Sequence, residues 1–227
     1  MTILPAGFLR EGDRIGLALQ VEDYFTKAGR TLGLFSAEVW TENSGHFAFE
    51  LDEIDFDDAR YINTHHDHAY AQLSKKKFQK LFKTRNNPLT IYPYEGTGTF
   101  DLNAQDSLQF SIMLRDVNGN ETQHQLWVKN PHPKSAAKIA YTSATHWLPT
   151  EAYSYQTGPW QLQIDSFTFF EPVRKSLDLA AKRIGSSQLQ LAKPIALSYQ
   201  LKDSINAHRY FITMNGTALP TTFKEGK

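Results

Sequence analysis

Apolar and polar residues alternate with a period of two along much of this chain, and no other feature constrains its fold as strongly. From Arg14 to Glu22, Ile15, Leu17, Leu19 and Val21 alternate with Arg14, Gly16, Ala18, Gln20 and Glu22. Gly33 to Trp40 repeats the pattern with Phe35, Ala37 and Val39 on one face. His46 to Asp52 repeats it with Phe47, Phe49 and Leu51, across the turn-rich Glu42-Asn43-Ser44-Gly45. These two runs read as a hairpin. Ser107 to Arg115 places Leu108, Phe110, Ile112 and Leu114 together, then passes through Asp116-Val117-Asn118-Gly119-Asn120 into a last strand from Glu121 to Lys129. Half-buried strands joined by polar turns predict an all-β fold, an immunoglobulin-like β-sandwich over residues 12–130.

The stretch of about 55–85 breaks the pattern. It lacks alternation and carries helical spacing at Phe78, Leu81 and Phe82 with Ser74 placed to cap it, so it reads as a partly helical insertion. Asn130-Pro131-His132-Pro133-Lys134-Ser135 then supplies a linker, set at 131–137, because each proline withholds an amide from any ladder. Residues 138–227 read as a second β domain, with strands at Lys138 to His146, Trp160 to Phe170, Ile195 to Leu201 and His208 to Met214, and a helix at Val173 to Ile184. Few strands remain to close a sandwich, so this domain reads as truncated or as leaning on the first.

Composition narrows the function. Lys+Arg 24 balance Asp+Glu 24 for a formal net charge of +0, which removes the bulk attraction that nucleic acids or anionic membranes need. Cys 0 excludes disulfides, thiolate metal sites and a cysteine nucleophile. No apolar run reaches the roughly 18 residues of a membrane span. The start, MTILPAGFLREGDRIG, meets Arg10, Glu11 and Asp13 before a signal region develops, so the chain is expected to stay where it is made or to be a piece of a longer precursor.

The most tempting chemistry lies at Thr64-His65-His66-Asp67-His68, which offers zinc-type ligands within one turn. A catalytic zinc takes three ligands, usually from separate elements. No H-E-x-x-H occurs, and no histidine has an aspartate four residues on. His46 and Glu50 share the polar face of a strand, where they are ordinary occupants. The acidic run Glu50, Asp52, Glu53, Asp55, Asp57 and Asp58 is an exposed turn in which Asp57 or Asp58 caps a short helix. Asp116, Asn118 and Asn120 mimic the start of a calcium loop, but Glu121 stands where glycine is required and Trp127 where glutamate is required. Nucleophile and phosphate-loop motifs are absent. Lys75, Lys76, Lys77, Lys80, Lys83 and Arg85 read as the solvated face of an amphipathic helix rather than a nucleic-acid surface. Trp40, Trp127, Trp147 and Trp160, with ten tyrosines, could form a sugar-stacking platform, although aromatic residues also fill ordinary β cores; Trp40, opposite Phe35, Ala37 and Val39, is the one most available for stacking on a sugar.

The segment Leu51 to Tyr92 carries Leu51-Asp52, Phe56-Asp57, Arg60-Tyr61-Ile62-Asn63, His65, Asp67, Phe78, Leu81-Phe82, Leu89, Ile91 and Tyr92. With Val21-Glu22-Asp23-Tyr24 ahead and Asp116 to Asn120 behind, it resembles the region downstream of the peptidase domain in exported bacterial zinc metallopeptidases of the lysostaphin or LytM type. The resemblance spans residues 14–130. In that family the zinc is held upstream through H-x-x-x-D and H-L-H motifs, neither of which occurs here, so it assigns no catalytic residue, cofactor or metal ligand to this chain. It implies a non-catalytic accessory role in the cell envelope or periplasm, docking or scaffolding, with peptidoglycan, an envelope protein or an upstream peptidase domain as partner. Two other readings are a carbohydrate or peptidoglycan-binding module using exposed aromatics, and a small metalloenzyme built on His65, His66, Asp67 and His68. In the accessory reading, Arg60 and Asp67 pair, Tyr61 and Ile62 pack onto the sandwich, and Asn63 holds the turn.

Overall fold

The longest ladder in the molecule joins two nine-residue strands through the Asp116 turn. The structure, a computed structural model, describes residues 2–3, 14–21, 23–24, 31–42, 45–102, 107–129, 140–178, 183–186, 189–201, 212–214 and 217–222. Along the first half the strands are β1 (Thr2–Ile3), β2 (Arg14–Gly16), β3 (Ala18–Leu19), β4 (Asp23–Tyr24), β5 (Thr31–Leu32), β6 (Ser36–Trp40), β7 (His46–Glu50), β8 (Gln79–Lys80), β9 (Thr99–Asp101), β10 (Ser107–Arg115) and β11 (Glu121–Lys129). Between β7 and β8 lie a 3-10 turn, Ala59–Tyr61, and two short helices, α1 (Ile62–His65) and α2 (His68–Ser74). The chain is all-β.

One sheet organises this half, in the order β1-β11-β10-β6-β7. Its pairs are antiparallel except β1 beside β11, which is parallel. Alternation decides its two faces. Ala37, Val39, Phe47, Phe49, Leu108, Phe110, Ile112 and Val128 are buried on the inner face. A second layer of short pairs, β2 with β9 and β3 with β8, covers them and adds Ile15, Leu81, Phe100 and Leu102 to the same cluster. The loop before β9 closes tightly. A Cβ on Gly98, whose φ is +72°, would lie 2.7 Å from Phe47 Cγ, so only glycine fits.

The period-two reading gave both hairpins of this sheet and most of its inward residues, but ahead of β6 it is Leu34, not Phe35, that is buried in the core, and elsewhere the structure corrects it further. Arg14 to Glu22 is not one strand. It changes partner between Gly16 and Ala18, pairing first with β9 and then with β8. The expected helix at Phe78 to Phe82 is extended chain, because both sides of that backbone are already bonded: Leu81 N donates to the Leu17 carbonyl at 2.8 Å and the Phe78 carbonyl accepts from Asp67 N at 2.9 Å. The helices lie earlier, and Ser74 ends α2 instead of capping a later helix. Its hydroxyl donates to the Tyr70 carbonyl at 2.8 Å, and Lys75, at φ 61°, turns the chain out of the helix.

The second half holds β12 (His146–Trp147), β13 (Tyr153–Thr157), β14 (Trp160–Ile164), β15 (Val173–Arg174), β16 (Leu177–Asp178), β17 (Arg183–Ile184), β18 (Ala196–Tyr199), β19 (Thr213–Met214) and β20 (Thr217–Ala218). Among the described residues β13, β14 and β18 make a three-stranded sheet and the others pair in twos. Trp147 anchors a separate core with Leu162, Ile164 and Phe169, stacked on Phe169 at 5.3 Å with its Nε1 donating to the Tyr155 hydroxyl at 2.8 Å.

The expected strands here are shorter than the sequence implied. Ala140 to Thr145 holds no strand, because Thr142 to Thr145 form a turn in which His146 N donates to the Thr142 carbonyl at 2.8 Å. Trp160 to Phe170 stops at Ile164 where Asp165 begins a turn, and Ile195 to Leu201 reduces to β18. The expected helix at Val173 to Ile184 is replaced by β15, β16 and β17, since Val173, Leu177 and Ile184 reach the Trp147 cluster as strand residues. The proline-rich linker, residues 138–139, and His208 to Phe211 lie outside the described residues. The two halves touch through the helical segment. Asn86 Nδ2 donates to the Phe170 carbonyl at 3.1 Å, Gln190 Nε2 donates to the Asn63 carbonyl at 2.7 Å, and Tyr61 meets the Phe170 ring edge-on at 6.2 Å.

Candidate binding face

The outer face of the five-stranded sheet carries the residues that alternation sends away from the core. His46 stands opposite Trp40, Trp40 opposite Ser111, and Ser111 opposite Gln125; one step along, Gln109 stands opposite Trp127. The two tryptophan Cα atoms are therefore separated by two strand spacings, about 10 Å, and by two residues along the strand, about 7 Å. Trp127 is 46% exposed and Trp40 half-buried. Trp40 meets the His46 ring edge-on at 6.2 Å, and the His46 ring lies tilted on Tyr94 at 4.2 Å.

Glu38 fixes this corner. Its Oε1 lies 2.5 Å from His46 Nε2 and accepts the Tyr94 hydroxyl at 3.3 Å. The negative charge of Glu38, with smaller effects from burial and their hydrogen bond, raises the Tyr94 phenol above its ordinary value. The loop bearing Tyr94 lies directly on β7: a Cβ on Gly96 would sit 2.7 Å from the His46 carbonyl oxygen. Between the two indoles the face offers uncharged groups, the amides of Gln109 and Gln125 and the hydroxyl of Ser111. Two charges at its margin, Arg115 and Glu121, pair at 2.6 Å. Such a surface presents apolar ring planes beside neutral donors and acceptors. It suits recognition of a ligand with both characters.

The histidine cluster does not converge on one point, although the His65 and His66 rings meet edge-on at 5.7 Å. His65 is fully buried, its ring edge-on to Phe49 at 4.3 Å, with Nδ1 3.4 Å from the Tyr92 hydroxyl. That hydroxyl accepts from Asn87 Nδ2 at 3.1 Å. His65 Nδ1 and the Tyr92 hydroxyl share the 3.4 Å contact, and the other ring nitrogen, Nε2, has no partner. Burial, aided by the charges of His66 and Lys80, pushes the His65 imidazole down to about 3. His66 Nδ1 faces the Ile62 carbonyl at 3.2 Å, and its imidazole is also lowered, chiefly by burial. The Asp67 carboxylate accepts from Tyr70 N at 2.9 Å as the N-cap of α2, rather than pairing with Arg60, which donates to the Tyr61 hydroxyl at 2.6 Å. Asn63 does bond locally, to the Arg60 carbonyl at 3.2 Å. Among the described residues no group of three or more His, Asp or Glu side chains is arranged to hold a metal ion.

The remaining motifs are used locally. Asp116 accepts from Asn118 N at 2.9 Å, Asn120 N at 2.8 Å and Asn120 Nδ2 at 2.6 Å, which closes the hairpin and holds its carboxyl below the usual range. In the acidic run, Asp55 accepts from Asp57 N at 2.9 Å, while Asp58 stands at the N-cap of the 3-10 turn with no side-chain bond. The basic stretch forms no helical face. Lys75 to Lys77 are exposed beyond α2, whereas Lys80 is half-buried, donates to Thr84 Oγ1 at 3.3 Å, and is lowered by burial. Sequence reasoning singled out Trp40 and counted Trp127 among the tryptophans of a possible stacking platform, but missed Tyr94 and Glu38. Comparison of the chain with protein-family models, curated proteins and solved structures returned no match.

Proposed function

We propose that this chain is a non-catalytic accessory module of the cell envelope, its first half an immunoglobulin-like scaffold, that docks onto cell-wall material through the outer face of the β6, β7, β10 and β11 sheet. The observation that carries the reading is the Glu38, His46 and Tyr94 corner beside Trp40, a polar and aromatic array held open on a rigid sheet. The reactive residue types of the histidine cluster have structural roles instead: His65 sits in the apolar layer and Asp67 caps a helix. The sequence resemblance of residues 14–130 to the region downstream of a peptidoglycan peptidase supports the cell wall as the docking target.

Co-sedimentation of the tag-free protein with purified peptidoglycan sacculi tests this. Saturable retention without release of peptide fragments, with or without added zinc, is the expected result. Zinc-dependent cleavage of wall peptides, or a complete lack of retention, contradicts it.

A further inference from the structure

We infer that Trp40 and Trp127 are two stacking subsites for one uncharged, linear glycan laid diagonally across the sheet, with Gln109, Ser111 and Gln125 bonding its hydroxyls between them. The inference rests on the docking reading and narrows it to a ligand class and a site.

Three observations lead there. First, the register places both tryptophans on the same face of one hydrogen-bonded sheet, separated only by β10, so their spacing is fixed by backbone rather than by loops. Second, Trp127 is 46% exposed at a position where Glu121, Gln123 and Gln125 on the same strand face are polar. A pyranose ring has the matching chemistry, with an apolar C–H face for an indole plane and a rim of hydroxyls for amides and a serine. Third, charge complementarity selects among polymers. The tract between the indoles is neutral, and the charges at its margin are of both signs: Arg115 pairs with Glu121, Glu38 stands beside His46, Glu50 lies at the far end of β7 and Lys129 lies beyond Trp127. Nucleic acid or anionic lipid would need a run of cations there, where, among the described residues of this face, Lys129 alone stands outside an ion pair, and a protein partner would need an apolar centre in place of amides and a hydroxyl.

Two subsites on a rigid surface act together, because a ligand held at one is kept at high effective concentration near the other. Affinity should therefore rise steeply with chain length and fall sharply when either ring is removed. It should also be nearly independent of salt, since no charge is exchanged.

The test is calorimetric titration of the full chain with a β-linked N-acetylglucosamine hexamer and dimer at neutral pH. The hexamer is expected to bind saturably and the dimer at least tenfold more weakly. Trp40→Ala and Trp127→Ala should each weaken hexamer binding at least tenfold, Trp40→Tyr should retain most of it, and Phe56→Ala, an exposed ring off this face, should leave it unchanged. Circular dichroism establishes that each variant is folded. No hexamer binding by the wild type, or wild-type affinity in either alanine variant, overturns the inference. Sacculi that retain both variants as well as the wild type would leave the docking reading standing while removing this site. Hexamer bound through both tryptophans without sacculus retention would do the reverse. Sacculus retention that needs the tryptophans but is not competed by the hexamer would assign the face to wall peptides or proteins, and the glycan site would fall.

Discussion

The inner and outer faces of the main sheet are made by the same strands, one residue out of step, and each has a histidine against it. On the inner side His65 touches Phe49 and Tyr92, has one ring nitrogen without a partner, and is kept neutral by burial. On the outer side His46 is exposed, paired with Glu38 and laid on Tyr94. The residue type is the same and the environment is opposite. Inside, a polar ring is a destabilising element that packing outweighs; outside, it is one member of an array of rings open to a ligand. Chemistry on this chain therefore follows which face of the sheet a residue packs against, more than which residues stand close in sequence.

The contrast can be broken from the inside first. Phe49→Ala removes a fully buried ring from the cluster beside His65 and should lower stability by about 3–5 kcal/mol, read as a fall in the urea midpoint at unchanged slope. Acid is the next largest perturbation. The unfolded chain's histidine takes a proton near 6.5, whereas the folded His65 resists protonation until about 3. Between those values the unfolded state holds more protons, so this group's contribution is fully present above 6.5 and is lost as pH falls toward 3. Stability at pH 5 should be about 2 kcal/mol below that at pH 8 from this residue. His65→Gln should flatten that part of the profile, and an unchanged slope in the variant would show that His65 is not the cause. Asp67→Ala removes the N-cap of α2 and should cost about 1 kcal/mol in the same denaturation experiment, whatever metal is added. The smallest effect belongs to the outer face, where Trp127→Ala should change stability by no more than about 0.5 kcal/mol. A loss there comparable to that of Phe49→Ala would mean that Trp127 belongs to a core.

The sheet was legible because its strands obey a single rule. Ala37, Val39, Phe110 and Ile112 alternate with polar or outward residues and face the core as the pattern requires, and Phe47 and Phe49 do so on either side of the small Ala48. The same rule also contained Trp127, which lies between Leu126 and Val128 and must face outward, but its partner Trp40 lies far away in sequence and only the β10 register joins them. Phe78, Leu81 and Phe82 misled because short apolar spacing fits a helix as well as a strand, and hydrogen bonds to Leu17 and Asp67 decide between them. The Tyr94 contact with Glu38 had no local signal at all. In the second half, pairs of two residues carry too little alternation to be read, and the Trp147 and Phe169 stack joins residues on either side of the whole β13–β14 hairpin.

The claim that the outer face is the working surface is tested most directly by the indole N–H resonances in a proton–nitrogen correlation spectrum, since the chain has only Trp 4 to assign. On titration with the N-acetylglucosamine hexamer, the signals of Trp40 and Trp127 should move together to saturation while that of buried Trp147 stays in place. Movement of neither, or of Trp160 alone, would contradict the account.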